Sequence, residues 1–294
     1  MEFFFQQFIN AMALGGTYAL IAIGLAMIFS VMNLINFAHG ELMTIGGYVL
    51  FFLLAMGMSF EMALLLSLVA AALAAIAMEL VAFRPFRNAD IVTMLLTSFA
   101  VSSILHVLFQ NFIGVRPKAI AVPPALSGAL TFGTFNVGVV PLISILASVV
   151  SVVALVVFLR ATHVGVAMRA AAQDFRTTQL MGINANAVIL AAFAISGLLA
   201  GVAGALWIFQ RGAVDPVMGV LPLLKAFIAV VVGGLGSLPG AAVGGLLLGT
   251  LEVFLRAYLP EGLLPFRDAI SLSLVIGIFT FYPHGLFGDA DAVR

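Results

Sequence analysis

The stretch NLINFAHGELMTIGGY, residues 33–48, sets two asparagines, a histidine, a glutamate, a threonine and three glycines inside a strongly apolar chain. A histidine and a carboxylate can bind a metal or exchange protons. His39 and Glu41 stand two residues apart, however, and so do not share a helical face. A joint site would need partners from elsewhere, and none is evident in the sequence. Asn33 and Asn36 read as the end of one apolar segment, while Gly40, Gly46 and Gly47 permit a sharp turn or close helix packing. Glu41 falls in the first turn of the next helix, where the helix dipole favours an anion. Within hydrocarbon, irregular backbone persists only against protein or a watery cavity. The stretch is therefore either a pair of capped, tightly packed helix ends or a break that turns polar groups toward a path or a partner.

Two further charges lie deep in apolar segments, Lys225 and Glu252. A charge inside a span is costly and pairs or faces water. Each lies about 8–10 Å from one end of its helix at 1.5 Å per residue. As antiparallel neighbours they are expected to form a buried ion pair. Glu79 reads as paired with nearby Arg84 or reaching for the interface, and His106 as a hydrogen-bonded interior histidine. The run GGLGSLPGAAVGGLLLGTLE opens with Gly233-Gly234 and spaces Gly240 with Gly244 and Gly245 with Gly249, as Gly197 is spaced with Gly201. Small residues four apart let helix backbones approach closely in lipid, within one subunit or between two.

Several chemistries have no residues to carry them. Cysteine is absent, so there is no disulfide, thiolate or cysteine-ligated metal. No G-x-x-x-x-G-K-[ST], H-E-x-x-H or G-x-S-x-G occurs, and the four histidines are scattered. An enzyme is not expected.

The elements that must position these residues follow from composition. The chain has 294 residues, 64% hydrophobic and 8% charged, against roughly a quarter charged in soluble domains. It reads as an all-α integral membrane protein, because apolar runs of spanning length recur throughout and alternating barrel strands do not. Zero formal net charge without a basic patch argues against nucleic acid. Spans are expected near 8–30, 40–57, 60–82, 91–113, 138–159, 187–210, 218–234, 240–257 and 268–283. The short segments at 40–57 and 218–234 are candidates for broken helices, so the count is eight or nine. The N-terminus lacks a basic region and an obvious cleavage site and reads as a retained first span. Lys and Arg divide six against five between the two sets of loops, which leaves orientation open.

Between the fifth and sixth segments, residues 160–186 form a long water-compatible stretch, RATHVGVAMRAAAQDFRTTQLMGINAN. Its alanines favour helix and Gly182 suits a helix end. Val166, Ala170, Phe175 and Leu180 can share part of one face, with Arg169, Gln173, Arg176 and Gln179 elsewhere. A short amphipathic helix beside the membrane fits, whether it only anchors the loop or meets a partner.

RAAAQDFRTTQLMGIN followed by AVILAAFAISGLLAGVAGAL resembles the coupling loop and next span of ABC-importer permeases. NLINFAHGELMTIGGY and LKAFIAVVVGGLGSLPGAAVGGLLLGTLE narrow the resemblance to permeases of high-affinity branched-chain amino-acid importers, in the right order over nearly the whole chain. The resemblance implies one transmembrane permease domain over 1–294, pairing with a second similar permease. It also implies two ATP-binding subunits that hold ATP and magnesium, no cofactor in this chain, and a periplasmic binding protein that delivers substrate. The coupling contact would use Arg169, Ala170, Ala171, Ala172, Asp174, Arg176, Leu180 and Gly182. The Glu-Ala-Ala of the general permease pattern is replaced here by Ala170-Ala171-Ala172. The translocation path or gate would involve Asn33, Asn36, His39, Glu41, Gln110 and Asn111. With the coupling loop inside, a nine-span chain in the bacterial inner membrane has its N-terminus outside and its C-terminus in the cytoplasm. The competing reading is a stand-alone secondary transporter or channel for a small polar solute, which the breaks near 33–47 and 233–240 would suit.

Overall fold

A computed structural model describes residues 2–87, 89–132, 135–281 and 285–287. Each expected span is a helix in it: α1 (Glu2–Met32), α2 (His39–Ala55), α3 (Phe60–Met78), α4 (Ile91–Phe112), α6 (Val139–Ala161), α9 (Ala185–Arg211), α10 (Val220–Gly233), α11 (Leu238–Tyr258) and α12 (Arg267–Phe281). The short α5 (Pro124–Ser127) lies in the 114–137 connection, while α7 (His163–Gln173) and α8 (Phe175–Leu180) divide the long polar stretch. Six helical runs are long and apolar enough to cross a membrane: α1, α3 with its continuation to Phe86, α4, α6, α9 and α11. The 17 residues of α2 and 14 of α10 reach about 25 and 21 Å, short of the ~30 Å hydrocarbon core.

α1 is the axis of the bundle. It packs against α6, α9, α10 and α11, and it is buried almost without interruption from Ala11 to Val31. A helix apolar on every side can face lipid or protein in any direction, and α1 meets protein over most of its length. α2 fits between α3 and α9, while α10 and α11 form a hairpin against α1, with α12 outside it. α4 stands apart, touching mainly α2 and the segment after α3. That segment is a π-turn (Glu79–Phe83) followed by a 3₁₀ turn (Arg84–Phe86).

The connections sort onto two faces. On one lie residues 84–87, 162–184 and 234–237, and on the other 56–59, 113–132 and 259–266. Residues 33–38 and 212–219 start from opposite faces and run inward, so that the backbones of Gly40 and Gly219 meet where α2 and α10 begin. The 114–137 loop, expected to be extended, carries the hairpin β2–β3 (Ala129–Phe132 with Phe135–Gly138). Its strand β1 (Lys118–Ala119) pairs antiparallel with β4 (Ala213–Val214) just past α9. Arg294, counted in the loop-charge comparison, lies outside the described residues.

Candidate translocation and coupling sites

The break between α1 and α2 is built by its asparagines. Asn33 adopts a left-handed backbone, φ 51°, which asparagine tolerates better than other side-chain-bearing residues, and its N–H closes onto Phe29 O at 2.8 Å. Asn36 is fully buried; its Oδ1 accepts from Ala38 N at 3.0 Å and its amide reaches Met78 Sδ at 3.8 Å. Both residues therefore shape the turn. Asn33 is exposed and lines a cavity of about 460 Å³ with Arg84, Arg87, Gln179 and Asn186.

His39 and Glu41 point to different partners. His39, fully buried, places Nδ1 3.1 Å from Ser196 Oγ, and that hydroxyl donates to Gly24 O at 2.9 Å, joining α2, α9 and α1. Glu41 accepts from Ser102 Oγ at 2.9 Å, and His106 Nδ1 lies 3.8 Å from the same carboxylate oxygen. Partners for Glu41 thus exist, on α4. The signal was present in the sequence: Ser98, Ser102, His106 and Gln110 recur every fourth residue, one stripe of a helix. Glu41 Oε2 and His106 Nε2 are buried and have no hydrogen-bond partner among the described residues. Ser102 and Ser196 each lie eleven residues from the same-side end of their helices, about 16 Å in, or near mid-height of a ~30 Å core. Gln110 and Asn111 are exposed at the far end of α4 and join neither group. Among the described residues no three His, Asp or Glu side chains converge as a metal site.

At the end where α1 stops, α7 and α8 form an elbow. Thr162 caps α7, accepting from Gly165 N at 3.0 Å and donating to Phe158 O at 2.8 Å. Gly165 lies so close to Phe158 O and Leu159 that a side chain there would collide with backbone. Asp174 caps α8: Oδ1 accepts from Thr177 N at 3.0 Å and Oδ2 from Thr177 Oγ1 at 2.5 Å. Those bonds hold its carboxyl below the usual aspartate range. α7 buries Gly165, Met168 and Ala171, leaving Arg169 and Ala172 exposed and Ala170 half-buried. Asp174, Arg176, Leu180 and Gly182 are exposed, and Leu180 and Met181 are 81% and 78% exposed at the tip. Glu79, expected near Arg84, instead pairs with Arg87, which also donates to Asn186 Oδ1 at the start of α9. The 3₁₀ turn at Arg84–Phe86 carries the second arginine back over Glu79.

At the opposite end, Lys225 Nζ lies 2.7 Å from Glu252 Oε1. The pair is part of a larger cluster. Tyr18 O–H donates to Glu252 Oε2 at 2.9 Å, Arg267 reaches Oε1 at 3.6 Å, and Asp268 sits 3.4 Å from Lys225.

The glycines that the sequence singled out lie at contacts within this chain. A Cβ on Gly245 or Gly249 would run into the backbone of α1 at Ala19 or Gly15, and one on Gly244 into Ala229 of α10. Gly233 and Gly240 face each other across the α10–α11 turn, where Gly234 has φ 111°. Gly197 and Gly201 pack on α3 at Ala71.

Residues 7–280 match the family described as branched-chain amino acid transport system / permease component. The chain is 34% identical to the high-affinity branched-chain amino acid transport system permease protein LivH of Salmonella typhimurium. That similarity covers 99% of this chain and 98% of the relative. LivH of Escherichia coli K12 gives the same identity and coverage, and BraD of Pseudomonas aeruginosa is 37% identical over the same shares. No solved structure matches.

Proposed function

The chain belongs to the family of branched-chain amino-acid transport permeases, and on that premise we propose that it is one permease subunit of an ATP-driven, binding-protein-dependent importer of leucine, isoleucine and valine. The observation that carries the reading is the elbow α7–α8. It is a capped amphipathic pair whose apolar tip, Leu180 and Met181, is exposed beyond the end of the bundle. A carrier working alone has no use for it. In an importer it is the part that an ATP-binding subunit grips, so the elbow face of the bundle is cytoplasmic and the N-terminus is outside.

ATP and magnesium are held by the two ATP-binding subunits, and this chain performs no chemistry on them. When those subunits close, the elbow is pushed. The push enters α9 through its capping residue Asn184 and enters α3 through the Glu79–Arg87–Asn186 bridge. Both routes end at the polar layer at mid-height, His39 with Ser196 and Glu41 with Ser102 and His106. The half-buried Ser102–His106 edge of this layer faces the solute as the paired permeases alternate between outward and inward states. Specificity is shared with a periplasmic binding protein that docks on the outer face.

The test is purification of the tagged chain from its native membrane in mild detergent, with mass spectrometry of what accompanies it. Two ATP-binding subunits and a second permease are expected. Replacing Leu180 and Met181 together by Glu removes two apolar anchors worth about 1.5–3 kcal/mol each when buried. The ATP-binding subunits should then be lost by on the order of a hundredfold in affinity, while the second permease stays. Undiminished recovery would refute the elbow contact. A lone chain that drives gradient-dependent uptake in liposomes would refute the importer.

A further inference from the structure

The outer face holds a cavity of about 850 Å³ between α1, α6, α9 and α11 that none of the roles above uses. On α1 its lining runs from Phe3 to Tyr18, fifteen residues or about 22 Å of helix. Its polar lining is rich in donors. Arg211 stacks over the Trp207 ring at 4.1 Å. Arg256 and Arg211 are exposed at the mouth of the cavity, and Arg256 has no hydrogen-bond or ion-pair partner among the described residues. Trp207 is 5% exposed, and its indole N–H is buried without an acceptor. Guanidinium and indole groups can only donate. The one carboxylate in the lining, Glu252, is already taken by Tyr18, Lys225 and Arg267. Around the cavity and its floor, four cations (Arg211, Lys225, Arg256, Arg267) face two carboxylates (Glu252, Asp268). A site of unused donors and surplus positive charge calls for a group that only accepts and carries negative charge. The rest of the wall sets the amides of Gln7, Asn10 and Gln210 among apolar side chains such as Leu14, Val140 and Val253.

We propose that this cavity binds the carboxylate of a small aliphatic amino acid, with Arg256 as its main anchor and Arg211 beside it. It would be the first station for solute on the outer face. The choice of an amino acid rests on the importer reading; the demand for a carboxylate rests on the donors alone.

Trp207 is the single tryptophan of the chain and lines the cavity, so its fluorescence reports on this site. The full-length chain, purified into phosphatidylcholine nanodiscs, would be titrated with L-leucine and with L-leucinol, which lacks the carboxylate. A saturable emission change with leucine and none with leucinol is expected. Arg256→Ala should raise the midpoint at least tenfold, and Arg256→Lys, which keeps the charge, should recover part of it at an unchanged unfolding temperature. Equal responses to leucine and leucinol, or no saturable response to leucine, would overturn the proposal. So would an emission change on adding phosphatidylglycerol that leucine cannot reverse, which would assign the cavity to a lipid phosphate. The two readings fail separately. A chain that recruits ATP-binding subunits but ignores leucine remains an importer subunit without this site. One that responds to leucine but recruits none keeps the site and loses the importer.

Discussion

Glu252 concentrates more of the half of the bundle away from the elbow in one side chain than any other residue described. Its two oxygens receive a tyrosine from α1, a lysine from α10 and an arginine from the start of α12, and so fasten three helices to α11. Glu252→Gln keeps the shape and an acceptor for Tyr18 but leaves Lys225 and Arg267 without their shared counter-ion. The loss should be about 2 kcal/mol, the scale of hydrogen bonds to charged groups, read as a lower unfolding temperature in detergent. Exchanging Lys225 and Glu252 should restore only part of it, because a lysine at 252 would then face Arg267. Full loss in the exchanged variant would show that the pair matters less than Tyr18 and Arg267. Helix lengths alone set Lys225 and Glu252 at one depth. Nothing in the sequence registers Tyr18, 234 residues away, against the same carboxylate, because that contact depends on how α1 is rotated within a helix apolar on every side. Glu41 and His106 were hidden for a related reason: the four-residue stripe on α4 was legible, but which helix it would lean on was not.

At the level of elements, glycine spacing decides how closely α11 approaches α1 and α10. Gly245→Leu would drive a side chain into the backbone at Ala19, with a cost of roughly 1–3 kcal/mol or more as the helices part. Gly262→Ala, at a glycine with nothing near it, should be silent in the same thermal measurement. If Gly245→Leu were equally silent, the close approach would be wrong. The four-residue spacing revealed that a close contact exists. It could not choose between a contact inside the subunit and one between subunits, since lipid-facing and partner-facing surfaces are equally apolar. The elbow was legible in outline from its alanines and from Gly182. Its division into two helices turns on Asp174, whose capping bonds to Thr177 start α8 where the sequence pattern draws a single helix.

For the whole molecule, helical spans were the most readable feature, since about twenty apolar residues have few other fates. The shortness of α2 and α10 was visible too, as apolar runs that end early. Sidedness was not, because the arginines and lysines divide almost evenly. The proposed orientation can be checked in a chain that contains no cysteine of its own. Arg116→Cys, in the β1 loop, should react with a membrane-impermeant maleimide on intact cells. His163→Cys, at the start of α7, should react only after permeabilisation. The reverse pattern would turn the molecule over and place the elbow outside.

The central position of α1 has a consequence for how the protein is made. The helix that ends most enclosed comes early in the chain, and α10 and α11, which complete its surround, come last but one. From Met32 to Leu238 the ribosome adds about two hundred residues, on the order of ten seconds or more at 5–20 residues per second. Throughout that interval the side of α1 that will meet α10 and α11 stays open to lipid, with the Tyr18 hydroxyl lacking its Glu252 acceptor. Its mean hydropathy of 2.0, within the range of the other spans, lets it wait in the bilayer until the last quarter of the chain arrives to close around it.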